Sequence, residues 1–239
     1  MQTIIFDVDD TLYDQLQPFR NAVHQQLDIS YNEKQIEALY LSSRKYSDKV
    51  FEKHMNGDIT ALELQTYRIT EACKDFGLTL SHQQAAAFQE AYLNEQNQIR
   101  LFSEIEMLLD HLSMNKYQLA VLTNGEVDHQ MMKVKQLGIT KWIPEENIFV
   151  SAGIGYSKPN RKVFEHLENK LNLSKENTIY IGDSFENDII GAKQVGWKAT
   201  WMNHRFRKKP ISNYKPDYTI NNPEDLLAIF GLKEKHVTG

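Results

Sequence analysis

Residues 3–12 read Thr3-Ile4-Ile5-Phe6-Asp7-Val8-Asp9-Asp10-Thr11-Leu12, a short strand-forming run that stops on three carboxylates. In an extended strand, side chains two residues apart share a face, so Asp7 and Asp9 converge while Asp10 points away. Two converging carboxylates repel, and in a desolvated place one of them takes up a proton unless a cation lies between them. The pair therefore calls for a positive partner. A hard divalent ion such as Mg2+ suits carboxylate oxygens best. Asp10 reads as a turn or capping residue, and Asp14 as a residue capping or preceding the helix that follows.

Working outward, five further apolar runs have the length and β-branched content of strands buried on both faces: Gln118 to Leu122, Ile148 to Val150, Thr178 to Ile181, Ala199 to Met202 and Tyr218 to Ile220. Helical spacings between them close on glycine, in Gln136-Leu137-Gly138, Gln194-Val195-Gly196 and Ile229-Phe230-Gly231. Strand and helix in alternation predict an α/β fold with a doubly wound parallel sheet. Residues 14–100 break the alternation. Four helical stretches are expected there, near 15–27, 33–55, 61–76 and 82–98, with Asn32 capping the second. Thr60 with Glu63 and Ser81 with Gln84 have capping-box spacing for the third and fourth. The chain is thus read as a core of 1–13 and 101–239 interrupted by a helical domain of 14–100, inserted where ligands of open sheets bind.

Composition narrows the function. The chain has 239 residues, 41% of them hydrophobic, which is enough for a sizeable packed core. A formal charge of −5 disfavours nucleic acid as the partner, and the run Arg205-Phe206-Arg207-Lys208-Lys209 reads as a solvated loop. The single cysteine, Cys73, excludes an intrachain disulfide and lies at core spacing with Ile69, Ala72 and Phe76. No leader-like segment or membrane-length apolar run is seen, so a cytoplasmic protein without membrane contact is expected. The eight histidines show no zinc-ligand spacing. Oligomeric state is not legible.

Three loops that follow strands carry the remaining chemistry. Thr123-Asn124-Gly125 offers a hydroxyl and a turn before a helix start, a seat for phosphate. Ser157-Lys158-Pro159 supplies a fixed cation, with Pro159 placed as a first helical residue. Gly182-Asp183-Ser184-Phe185-Glu186-Asn187-Asp188 adds two carboxylates.

In this order, over roughly residues 1 to 230, these motifs resemble the haloacid dehalogenase superfamily of phosphohydrolases, with a Rossmann-like core and a C1-type helical cap. The resemblance implies Asp7 as a nucleophile forming an aspartyl phosphate and Asp9 as general acid and base. It implies Mg2+ on Asp7, the backbone carbonyl of Asp9, and Asp183, with Asp188 as ligand or support. Thr123 and Lys158 would hold phosphate oxygens, with backbone donors near Asn124 and Gly125. Asp9 distinguishes a phosphatase from a dehalogenase, whose halide leaves unprotonated. The expected activity is hydrolysis of a small phosphorylated metabolite, such as a nucleoside 5'-monophosphate. A phosphomutase of the same family is the nearest alternative, and a phosphoaspartate-switched binding module a more distant one. Tyr13, Gln17, Phe19 and Arg20, near the first hinge between core and cap, are candidates for substrate contact, although Phe19 and Val23 also have the spacing of a core face.

Overall fold

In the computed structural model, which describes residues 2–232, the opening run Thr3–Phe6 forms β1, an inner strand of a six-stranded sheet. The others are β2 (Gln118–Thr123), β3 (Ile148–Val150), β4 (Thr178–Gly182), β5 (Lys198–Met202) and β6 (Tyr218–Ile220). Their order is β3-β2-β1-β4-β5-β6, and every neighbouring pair is parallel. β1 is flanked by β2 on one side and β4 on the other, with Phe6 opposite both Val121 and Ile181. The chain thus winds outward one way through β2 and β3 and the other way through β4 to β6. Such a reversal opens a crevice at the carboxyl ends of the central strands.

Contacts divide the chain into two units, Met1–Asp14 with Arg100–Gly239, and Gln15–Ile99. Residues 1 and 233–239 of the expected core domain lie outside the described residues. Between β1 and β2 come α1 (Leu16–Gln26), α2 (Glu33–Met55), α3 (Ala61–Asp75), α4 (His82–Gln96) and α5 (Ser103–Met114). The later helices are α6 (Val127–Gln136), α7 (Ser151–Ile154), α8 (Arg161–Leu171), α9 (Gly191–Gln194) and α10 (Glu224–Ile229). Where the chain returns to the sheet unit, the Phe102 N–H donates to the Leu12 carbonyl at 2.9 Å. No helix among the described residues is long and apolar enough to cross a membrane.

The sheet unit closes over Val163, Phe164 and Leu167 of α8, which pack with Tyr180 and Trp197. The Phe164 ring meets Tyr180 and Trp197 edge-on, at 5.9 and 5.5 Å. Asn160 caps α8, accepting from Lys162 N. Pro159 therefore precedes the cap and is not the first helical residue, and the Lys158–Pro159 peptide is cis.

In the helical unit, Thr60 with Glu63 and Ser81 with Gln84 form the expected capping boxes, and Asn32 with Gln35 forms another. Phe19 is a core residue: its ring meets Tyr40, Phe88 and Tyr92 edge-on at 5.2–5.8 Å. Arg20 is held by Glu33 at 2.7 Å, and Gln17 is exposed. Cys73 is fully buried in the same cluster, and burial alone raises its thiol pKa to about 11. Since the thiolate is the reactive form, Cys73 should resist a thiol reagent such as Ellman's at pH 8 in the native protein and react stoichiometrically in denaturant. Rapid native labelling would show that the helical unit opens readily.

Candidate active site

Asp7 continues β1: its N–H donates to Ile181 O at 2.9 Å, which holds the residue in the sheet's ladder and its side chain in the interior. From β4 the chain passes through Gly182 and Asp183 into a wide helical turn, Phe185–Ile190. Ser184 caps that turn, and its own N–H donates to Asp188 Oδ2 at 2.9 Å. Asp188 is completely buried. A Cβ at Gly182 would lie 2.3 Å from Asp188 Oδ2 and 2.5 Å from its Cγ, so only glycine lets this carboxylate approach the strand.

Lys158 binds these elements together. Its Nζ donates to Asp7 Oδ1 at 2.8 Å, Asp188 Oδ1 at 2.7 Å and the Tyr180 hydroxyl at 2.9 Å. Those three bonds use every proton of the ammonium group. Tyr180 in turn donates to Leu122 O at 2.8 Å. Burial pushes the Asp7 carboxyl up to about 7, with the nearby Asp188 charge adding to the effect and Lys158 opposing it. Asp188 is raised for the same first reason. Burial works against a charged Lys158, but Asp188 and Asp7 outweigh it and hold the lysine above its usual range.

Asp183 completes an acidic group. One oxygen from each of Asp7, Asp183 and Asp188 lies within 4.8 Å of the others. Three converging hard oxygens with too little positive charge around them are a donor set that fits a small divalent cation. Asp9 faces elsewhere. Its Oδ1 accepts from Lys133 Nζ at 2.7 Å and the Tyr13 hydroxyl at 2.5 Å, and its Oδ2 from Lys133 Nζ at 2.8 Å and Gln130 Nε2 at 3.1 Å. Its carboxylate lies outside the Asp7, Asp183 and Asp188 group, which leaves its backbone carbonyl for any part in metal binding.

The Thr123-Asn124-Gly125 loop is tied to the segments that follow β3. Thr123 is buried at the end of β2, opposite Val150. The Asn124 amide instead brackets Lys158, accepting from its N–H at 2.8 Å and donating to its carbonyl at 2.9 Å. The Gly125 N–H donates to Ser151 Oγ at 3.1 Å. The Asn124 side chain braces the loop that carries the lysine, and the Gly125 N–H is engaged within the sheet unit.

The run Arg205 to Lys209 is not simply a solvated loop. Arg205 Nη2 reaches Asp10 at 2.9 Å and also pairs with Asp14; Arg207 reaches Asp183 at 2.7 Å and Asp10 at 3.2 Å. Asp10 is fully buried with a left-handed backbone, φ 56°. Burial would raise its pKa, yet His204 and Arg205 overcome that and hold the carboxyl well below the usual range. Asp10 is thus an anchor for the loop after β5, and Asp14 pairs with that loop while Gln15 occupies the N-terminus of α1. Sequence reasoning also missed Gln130 and Lys133. Their signal was present: Gln130, Lys133, Val134 and Leu137 form the buried stripe of α6, and two polar residues in such a stripe need an interior partner.

The raised Asp7 pKa has a thermodynamic consequence. The folded state binds the proton more tightly than the unfolded chain, whose carboxyl titrates near 3.8, so ionisation costs stability as pH rises from about 4 through about 7. Without metal, Asp7→Asn should therefore melt a few degrees above the parent at pH 8 and lose that advantage near pH 4. Thermal melts at both values check this, and an equal shift at both would refute it. For Gly182→Ala, the displaced Asp188 should leave divalent-ion binding by calorimetry at least tenfold weaker, a loss of about 1.4 kcal/mol. Unchanged affinity would separate Asp188 from the metal.

With this geometry established, comparison with known proteins supplies the context. The chain is 26% identical to the HAD-hydrolase YfnB of Bacillus subtilis, over 97% of this chain and 96% of that protein. A crystal structure of YfnB bound to magnesium superimposes with a TM-score of 0.72 at 24% identity, covering 96% of this chain and 98% of that one. The pyrimidine 5'-nucleotidase YjjG of Escherichia coli is 23% identical over 93% of this chain and 95% of its own length. The glyceraldehyde 3-phosphate phosphatase of Methanocaldococcus jannaschii is 27% identical, with 95% of each chain covered. The family model for haloacid dehalogenase-like hydrolases matches residues 1–196, and the chain belongs to that family of hydrolases.

Proposed function

We propose that the chain is a Mg2+-dependent phosphomonoesterase that hydrolyses a small phosphorylated metabolite, with nucleoside 5'-monophosphates as the substrate class. The observation that carries this reading is the pairing of a buried, lysine-bridged Asp7 with a second carboxylate, Asp9, two residues on. Phosphoryl transfer needs an in-line nucleophile, compensation of oxygen charge and a proton for the leaving alkoxide. Asp7 is the nucleophile: its oxygen bonds to phosphorus as the bond to the leaving oxygen breaks, giving an aspartyl phosphate. Asp9 gives its proton to that oxygen. It then takes one from the water that attacks phosphorus, releasing inorganic phosphate and restoring both carboxyls.

Lys158 keeps Asp7 in place and offsets negative charge beside it, and the Thr123 hydroxyl, at the end of the adjacent strand, holds a phosphate oxygen. The divalent ion, held by Asp7, Asp183, Asp188 and the Asp9 carbonyl, supplies charge neutralisation to the phosphoryl group. Asp9 argues against dehalogenation, since a halide ion departs without a proton. The names of YjjG and the archaeal phosphatase support small phosphate esters as the substrate class.

A panel of nucleoside monophosphates and sugar phosphates, assayed for phosphate release with and without Mg2+, tests the reading. Turnover should require the metal, vanish in Asp7→Asn, and fall roughly 10²- to 10⁴-fold in Asp9→Asn on alkyl phosphates. Undiminished turnover in Asp7→Asn, or halide release from a haloacid without any phosphatase activity, would overturn it.

A further inference from the structure

Asp9 is gripped from three separate points of the sheet unit. Lys133 on α6 contacts both carboxylate oxygens, Tyr13 donates to Oδ1, and Gln130, one helical turn before Lys133, donates to Oδ2. The Lys133 side chain is only 2% exposed, so its ammonium group has been taken out of water to stand against this carboxylate. A buried cation at such a cost calls for a role. Gln130 also donates to the Asn124 carbonyl at 3.1 Å, and the Asn124 amide brackets the Lys158 backbone. A continuous chain of bonds therefore runs from Asp9 through α6 to the lysine beside Asp7.

We propose that Lys133, assisted by Gln130 and Tyr13, is the positioning residue of the general acid and base. This role rests on the phosphatase reading and on the change of charge that Asp9 undergoes during the reaction. When the bond from phosphorus to the leaving oxygen breaks, its electron pair goes to that oxygen and the Asp9 proton follows, leaving Asp9 as a carboxylate. The four donor contacts described here match that ionised state. Donors already in place where negative charge develops strengthen as the proton departs and need no reorganisation. They then keep the carboxylate fixed while it receives the proton of the attacking water. Lys133 acts through Asp9, so its contribution scales with how much the leaving group needs a proton.

A leaving-group series provides the test. Dinitrophenyl, nitrophenyl and phenyl phosphate share a shape while the departing anion becomes steadily more basic. Their kcat/KM values report steps only up to departure of the alcohol. Lys133→Met should lose roughly 100-fold on phenyl phosphate and less than about threefold on dinitrophenyl phosphate, the graded pattern expected when a general acid is weakened. Asp9→Asn serves as the benchmark for that slope. Should Lys133→Met lack a cooperative melt, Tyr13→Phe and Gln130→Leu each remove one donor, and both should give the same graded pattern at smaller size. A loss equal across the series overturns the proposal and assigns Lys133 a purely structural part. Absence of phosphate release from all three esters by the unmodified protein would instead overturn the phosphatase reading, and the role of Lys133 with it.

Discussion

The site depends on one buried cation shared by two buried carboxylates. Lys158 reaches Asp7 and Asp188 at 2.8 and 2.7 Å, and its third proton goes to Tyr180. Removing the lysine from such a group would leave uncompensated carboxylate charge in the interior, which costs about 3–5 kcal/mol. The arrangement is held because each participant is anchored twice. Lys158 is fixed by its side-chain contacts and by the Asn124 amide at its backbone; Tyr180 by the lysine and the Leu122 carbonyl; Asp188 by the lysine and the Ser184 N–H. What looks like a catalytic constellation is equally a piece of interior packing. Its stability cost shows in Asp7, whose pKa burial drives upward.

Sheet topology brings these residues together. Asp7 and Lys158 are 151 positions apart, yet all strands are parallel and only β2 separates β1 from β3, so the segment that follows β3 brings Lys158 to the carboxyl end of β1. A parallel sheet with its reversal at β1 is the device, and short apolar strands are what it requires of the sequence. Gly182 shows how tightly the device is tuned. A single methyl group there would occupy the place of Asp188.

That much was legible in the chain, because strands, glycine-closed helices and motifs after strands are local patterns. All six strands and the four helices of the inserted unit lie within a few residues of their expected places. What was not legible depends on side-chain direction at long range. Arg205 and Arg207 read as solvated since nothing local reveals that Asp10, nearly 200 positions earlier, is buried opposite them. Only the fold shows that the Asn124 side-chain amide is turned toward the Lys158 backbone. Pro159 suits a first helical turn, but Asn160 is the better cap and displaces the helix start. Gln130 and Lys133 were readable as misfits in an apolar stripe, though not their target.

The charges around the site also explain why a divalent ion belongs to it. Asp7, Asp9, Asp10, Asp14, Asp183 and Asp188 are six carboxylates, and the fixed cations in contact with them are Lys133, Lys158, Arg205 and Arg207. Asp9 pairs with Lys133, and Asp10 is shared between two arginines. The shortage therefore falls at Asp7, Asp183 and Asp188, the three whose oxygens gather within 4.8 Å. A monovalent cation would leave the group underneutralised. The gathered carboxylate oxygens suit a divalent ion. Separate cations for Asp9 and Asp10 keep those neighbours from competing for the ion, and adjacent carboxylates of the opening motif can then serve different ends.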